Sequence, residues 1–196
     1  MKDRVFYDQC PRKYQPSLAK WRDYRQVKPQ IPARVRPWLL DQGSLTERLV
    51  RASGGQFRVQ LLRQCWGAPT AEERITLGMA QREVALLRET ILLGREQAWV
   101  YARSVIPAAT LSGHNRCLRS LGNRSLGSWL FQAHDMQRSP FQVALLAPDN
   151  VLVPTELQQD QALWGRRSRF EISGAALLVC EIFLPRFKPW PMIERI

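Results

Sequence analysis

Two long apolar runs sit close together in the middle of the chain. "REVALLRETILLG" (82–94) and "QAWVYARSVIP" (97–107) are rich in aliphatic, β-branched and aromatic residues. The break between them, near Gly94–Glu96, predicts a β-hairpin. Ahead of them, "FRVQLLRQCW" (57–66) alternates apolar and polar positions, the pattern of a strand with one buried face. Two more strands are predicted near the end of the chain, "RRSRFEI" (166–172) and "ALLVCEIFLP" (176–185), joined at "SGA". "SPFQVALLAPDN" (139–150) fits neither period.

Helix signals fall before and between these runs. Pro37 ahead of Trp38, Leu39 and Leu40 opens a short helix, with proline in the first turn. Ser44 with Glu47 three residues on predicts a capped helix from Leu45 to Ala52, ended by Gly54 and Gly55. Thr70 with Glu73 caps another short one. Residues 115–121 and 125–134 read as helical, with Gly122 as the stop between them. Strands joined by short turns favour antiparallel pairing, and the helices do not alternate with them as βαβ units would. The predicted class is α+β: one domain, an antiparallel sheet covered by helices.

Composition adds limits. A chain of 196 residues, 45% hydrophobic and 23% charged, is a globular domain and not a disordered one. The net charge of +12 invites a nucleic-acid reading. It is uneven, however: residues 1–36 hold ten Lys or Arg against three acids, +7 of the total. Residues 1–35, polar and proline-containing, read as a basic arm, 36–185 as the domain, and 186–196 as a surface tail. No apolar run approaches the roughly 20 residues that span a bilayer, and no signal-peptide core precedes the domain, so the cytoplasm is the expected location. Cys10, Cys65, Cys117 and Cys180 are widely spaced and His114 and His134 are the only histidines, so no metal-ligand pattern appears. Reduced, structural cysteines are expected.

Candidate chemistry lies in two charges inside apolar strands. Arg88 interrupts "VALLRETILL" and shares a face with Leu86, Thr90 and Leu92; Glu181 interrupts "ALLVCEIFL" and shares one with Leu177, Val179 and Phe183. A buried charge is costly unless it is paired or holds a ligand, so both a structural ion pair and a binding site remain open. The hairpin turn decides what faces the glutamate. A two-residue turn at Ser173–Gly174 sets Arg166 opposite Glu181, and a three-residue loop sets Arg167 there.

"ARSVIPAATLSG", "LRSLGNRSLGSWLF", "LWGRRSRFEISG" and "LLVCEIFLP", with "LLDQGSLTERL" and "LLRETILLG" before them, resemble the blocks of the chorismate lyase family in the same order, over residues 35–185. The resemblance implies an antiparallel sheet with a ligand enclosed beneath helical flaps. It implies a cofactor-free reaction that splits chorismate into pyruvate and 4-hydroxybenzoate for ubiquinone or a related quinone. Carried over by motif, Arg88 binds the ring carboxylate and Glu181 the hydroxyl end, as base or orienting acceptor. Backbone groups at Leu45 and Leu126 also line the ligand. Arg103, Arg166 and Arg167 are candidates for the pyruvyl carboxylate. The expected partner is chorismate and no nucleic acid; the arm is suited to steering an anion or touching a membrane surface, and the chain is expected to be a monomer. The alternative is a non-catalytic small-molecule-binding module with the fold of bacterial regulator effector domains.

Overall fold

The computed structural model describes residues 19–158 and 160–187. In chain order the elements are β1 (Arg22–Asp23), α1 (Tyr24–Val27), α2 (Arg36–Leu39), α3 (Leu45–Ala52), β2 (Phe57–Gly67), α4 (Ala71–Leu77), β3 (Ala85–Gly94) and β4 (Gln97–Pro107). A 3₁₀ segment (Gly113–Ser120), α5 (Leu126–Leu130), β5 (Gln137–Arg138), β6 (Gln142–Leu146), β7 (Leu163–Ile172) and β8 (Ala175–Phe183) complete it. The strands form one antiparallel sheet in the order β1-β6-β7-β8-β4-β3-β2, with β5 also paired to β7. The α+β class read from the sequence is therefore the observed one, and the ambiguous stretch 139–150 supplies β6.

Two turns fix the registers that matter. Ser173 and Gly174 both have positive φ (51° and 73°), the type I′ geometry that matches strand twist, and Ile172 pairs with Ala175. Arg166 is consequently the residue opposite Glu181. The β3–β4 turn is also two residues, Arg95 and Glu96, at φ 51° and 61°. Here the ladder does not run on unbroken. Leu93 pairs with Ala98 but Leu92 with Val100, so Trp99 is an extra residue on β4, a β-bulge. The Trp99 ring occupies the space beside Gly94 that a Cβ would need. Trp99 is buried against Phe187, so the ring has nowhere to withdraw. Gly94→Ala is expected to destabilise the fold by about 2 kcal/mol through overpacking, read as a lower denaturant midpoint at an unchanged slope.

Side chains alternate between the two faces of the sheet. On one face Leu92, Val100, Phe183 and Phe187 pack with Trp38, Leu39, Leu45 and Leu49. Further along that face Leu86, Ile106, Phe170 and Leu177 pack with Leu118, Leu126 and Leu130. The hollow between these two clusters is the site described below. The other face is covered by α4 and by residues 146–157, over Leu87, Val105, Leu178 and Cys180.

Three expectations are corrected. Residues 19–35 are not an arm: β1 pairs with β6, and Val27, Ile31 and Val35, spaced by four, enter the core. Basic and proline residues between them hid that spacing. Residues 1–18 and 188–196 lie outside the described residues. Phe187, beyond the predicted boundary at 185, is buried in edge-on contact with Trp38 and Phe183. Cys65 is disulfide-bonded, whereas Cys117 and Cys180 are free, so the cysteines are not uniformly reduced. In addition, the segment predicted as a helix at 115–121 is the tighter 3₁₀ form, and α5 is shorter than the helix predicted at 125–134. No helix among the described residues is long and apolar enough to cross a membrane.

Candidate functional site

Arg88, Thr90 and Leu92 of β3, Ala102 and Ser104 of β4, Val179 and Glu181 of β8, and Arg166 and Phe170 of β7 line one cavity. The register explains the hollow. Ala102 and Ser104 stand between Arg88 and Glu181, and their small side chains leave the middle of the floor empty. Arg88 and Glu181 are two strands and two residues apart, a Cα spacing of about 12 Å on a regular sheet. The non-protein space between these side chains, open solvent included, is about 520 Å³.

Helices α3 and α5 cover the hollow from their N-terminal ends. Ser44 and Ser125 are their caps, accepting from the backbone N–H groups of Glu47 (3.3 Å) and Ser128 (3.1 Å). Leu45 and Leu126 are the first helical residues and both line the cavity. First-turn N–H groups have no acceptor within their own helix, so such ends present donors. The two helices meet at a 2.6 Å hydrogen bond between the Thr46 and Ser125 hydroxyls. Gly127 makes the approach possible, since a Cβ there would lie 2.9 Å from Thr46 Oγ1.

The charges are unequally satisfied. Arg88 is 2% exposed and has no acidic partner among the described residues. Its Nη2 donates to the carbonyls of Gly122 (3.0 Å) and Arg124 (2.8 Å), and its Nε has no partner. Burial pulls its pKa down to about 10, so it remains cationic at neutral pH. At the other end Arg166 Nε donates to Glu181 Oε2 at 2.6 Å, and Nη1 reaches the carbonyls of Trp38 (3.0 Å), Leu39 (3.4 Å) and Asp41 (3.0 Å). Arg138 of β5 completes the lining. Burial first, and then the nearby Arg166, pull its pKa down to about 10, against Glu181 and Asp41, which act the other way.

All four site residues named from the sequence, Arg88, Glu181, Leu45 and Leu126, therefore lie around one cavity, and Arg166 joins them. Arg103 and Arg167 do not: both project from the opposite face. Arg103 is held between Glu73 (2.8 Å from Nε to Oε1, 3.1 Å from Nη2 to Oε2) and Glu89 (2.8 Å). Arg167 donates to Gln142 and lies 4.7 Å from the Trp21 ring centroid. Sequence reasoning missed Arg138, because a two-residue strand in "QRSPF" has no periodicity to reveal it. Among the described residues no His, Cys, Asp and Glu side chains gather as a metal site would need. Cys180 is buried beneath the other face, where burial pushes its thiol up to about 12.

The ensemble is a pocket with three arginines and one carboxylate, built on an α+β sheet, a charge pattern complementary to a small organic dianion. The Chorismate lyase family model matches residues 15–190. The chain is 41% identical to probable chorismate pyruvate-lyase 2 of Pseudomonas entomophila over 87% of its length and 91% of that protein. It is also 41% identical to the probable chorismate pyruvate-lyase of Methylococcus capsulatus, over 76% and 93%. The chain belongs to the chorismate lyase family. Its fold also resembles the effector domain of PhnF from Mycobacterium smegmatis (TM-score 0.51, 16% identity, 74% of this chain and 91% of that one). A GntR-family regulator from Bacillus cereus is similar in the same way (TM-score 0.51, 11% identity, 66% and 92%). At such identities the likeness concerns the fold alone.

Proposed function

We propose that this protein eliminates pyruvate from chorismate to give 4-hydroxybenzoate, in the cytoplasm, as a monomer without a cofactor, for ubiquinone or a related quinone. The observation that carries the reading is Arg88 and Glu181 at opposite ends of one cavity, across a floor of small side chains. Arg88, a buried cation without a counter-ion, takes the ring carboxylate through its planar fork. Glu181, held by Arg166, accepts from the hydroxyl at the other end of the ring. Backbone groups at Leu45 and Leu126 close over the ligand.

The reaction balances within the substrate. The ether C–O bond breaks, the carbon bearing the hydroxyl loses its proton, and the ring becomes aromatic. The departing enolpyruvyl oxygen carries the electron pair, and one proton returned to that fragment gives pyruvate. Aromatisation supplies the driving force, so the protein need only orient the ring, exclude water and receive charge. Two routes for the proton balance equally: transfer to Glu181, or transfer directly to the departing group.

Release of 4-hydroxybenzoate and pyruvate in equal amounts from chorismate by the purified chain is the test, and no turnover would end the reading. Glu181→Gln separates the two routes. If the carboxylate is the base, kcat falls by about 10² to 10⁴; if the proton moves within the substrate, the loss is mainly in KM. The effector-module alternative requires ligand binding with no turnover.

A further inference from the structure

Arg88 and Glu181 account for the ring, yet two cations at the Glu181 end remain to be explained. Arg166 is 1% exposed, and its Nη2 is buried with no hydrogen-bond partner among the described residues. Its other donors are fully engaged, Nε with Glu181 and Nη1 with three carbonyls. A buried guanidinium N–H facing a cavity without an acceptor is costly, and an anion in that cavity would satisfy it.

Arg138 comes to the same place from a different strand. Its Nε donates to Ser168 Oγ (3.1 Å) and its Nη1 to the Gln42 carbonyl (3.3 Å), while Nη2 has no partner among the described residues. The guanidinium carbons of Arg138 and Arg166 lie 4.0 and 4.9 Å from the centroid of one buried ring, Phe141. Phe170 lies 5.0 Å from that of Arg138. Rigid aromatic support holds two like charges close together, against their repulsion, with the Glu181 carboxylate on Arg166 and Asp41, itself paired with Arg48, also acting on Arg138.

We propose that Arg138 and Arg166 form a second carboxylate subsite, which takes the enolpyruvyl carboxylate and makes Arg138 a determinant of substrate over product. The proposal rests on the chorismate reading above. The charges divide to suit it. Arg88 gives one end of the cavity +1; Arg138 and Arg166 with Glu181 give the other end +1. Chorismate carries one carboxylate on the ring and one on the enolpyruvyl group. That group is attached beside the hydroxyl-bearing carbon, so it lies at the end where Glu181 holds the hydroxyl. Of the three arginines considered from the sequence for this carboxylate, the geometry retains Arg166 and replaces Arg103 and Arg167 with Arg138.

The product 4-hydroxybenzoate lacks the second carboxylate, and this provides the test. Arg138→Met keeps the apolar stem over Phe141 and Phe170 and removes the charge. In this variant kcat/KM for chorismate is expected to fall by about ten- to a hundredfold, the loss of one charge-assisted hydrogen bond. The Kd for 4-hydroxybenzoate, measured by calorimetry, should stay within about twofold, and pyruvate should become a weaker competitive inhibitor, as a charge-assisted contact is lost. A kcat/KM within twofold of wild type, or a parallel loss of affinity for 4-hydroxybenzoate, would overturn the subsite. Should that variant not fold, Arg138→Gln, which also removes the charge, decides by the same comparison. No turnover by the wild-type chain would instead bring down the functional reading itself.

Discussion

Arg88→Met is expected to lower kcat/KM for chorismate by about two to three orders of magnitude, while the thermal midpoint of the free protein falls by no more than a few degrees. The two readouts separate because of how the arginine is placed. It is buried, its bonds run to the Gly122 and Arg124 carbonyls, and no acid among the described residues neutralises it. In the free protein that arrangement is costly, so a methionine of similar length loses two hydrogen bonds but relieves a desolvated charge. In the proposed complex the same change would leave the ring carboxylate buried without its cation, a penalty of about 3–5 kcal/mol. A site kept at the expense of stability behaves in this way. The pH dependence has a definite sign: Arg88 is cationic below about 10, so KM should rise as pH increases through that value and not before. Wild-type kcat/KM in Arg88→Met would remove Arg88 from the site.

The largest effect on stability is expected at Arg103, on the opposite face. Arg103→Met removes the shared cation of Glu73 and Glu89, both buried. The fold should lose about 3–5 kcal/mol at pH 7, a fall in melting temperature of roughly 10 °C. Burial alone would raise the Glu73 pKa, but the Arg103 charge and hydrogen bonds from Arg103 and Thr70 outweigh it and hold the carboxyl below its usual 4.5. In the wild type the Glu73 contribution is therefore complete above pH 4.5 and is lost as pH falls through the depressed native value. In the variant only the Thr70 hydrogen bonds still oppose burial, so the carboxyl pKa rises relative to the wild type and the deficit should shrink as the solution is acidified. Melts at pH 7 and pH 4 check this, and equal midpoints at pH 7 would refute the structural role.

These two arginines also show where sequence reading works. Strands, caps and turns follow from local chemistry: alternation in 57–66, serine and threonine ahead of helices, and the positive-φ pair Ser173–Gly174. Arg88 and Glu181 were legible because a charge in an apolar strand needs a reason. What stayed hidden depended on registry or on distant contacts. Arg166 and Arg167 exchange faces with one residue of turn length. Arg138 belongs to a two-residue strand placed by pairing with β7. Residues 19–35 form core only because β6 and the α2 region are there to receive them.

The bulge at Trp99 has the widest reach. With an unbroken ladder from the Gly94–Gln97 pair, Arg103 would stand directly across from Arg88, on the same face. One surplus residue shifts the phase of β4, brings Ser104 and Ala102 into the floor, and sends Arg103 through to Glu73 and Glu89. The sheet thus works as a partition one chain thick: on one side Arg88 has no acid beside it among the described residues, on the other Arg103 is consumed in holding the protein together. A single insertion, tucked against a glycine, keeps the two accounts apart.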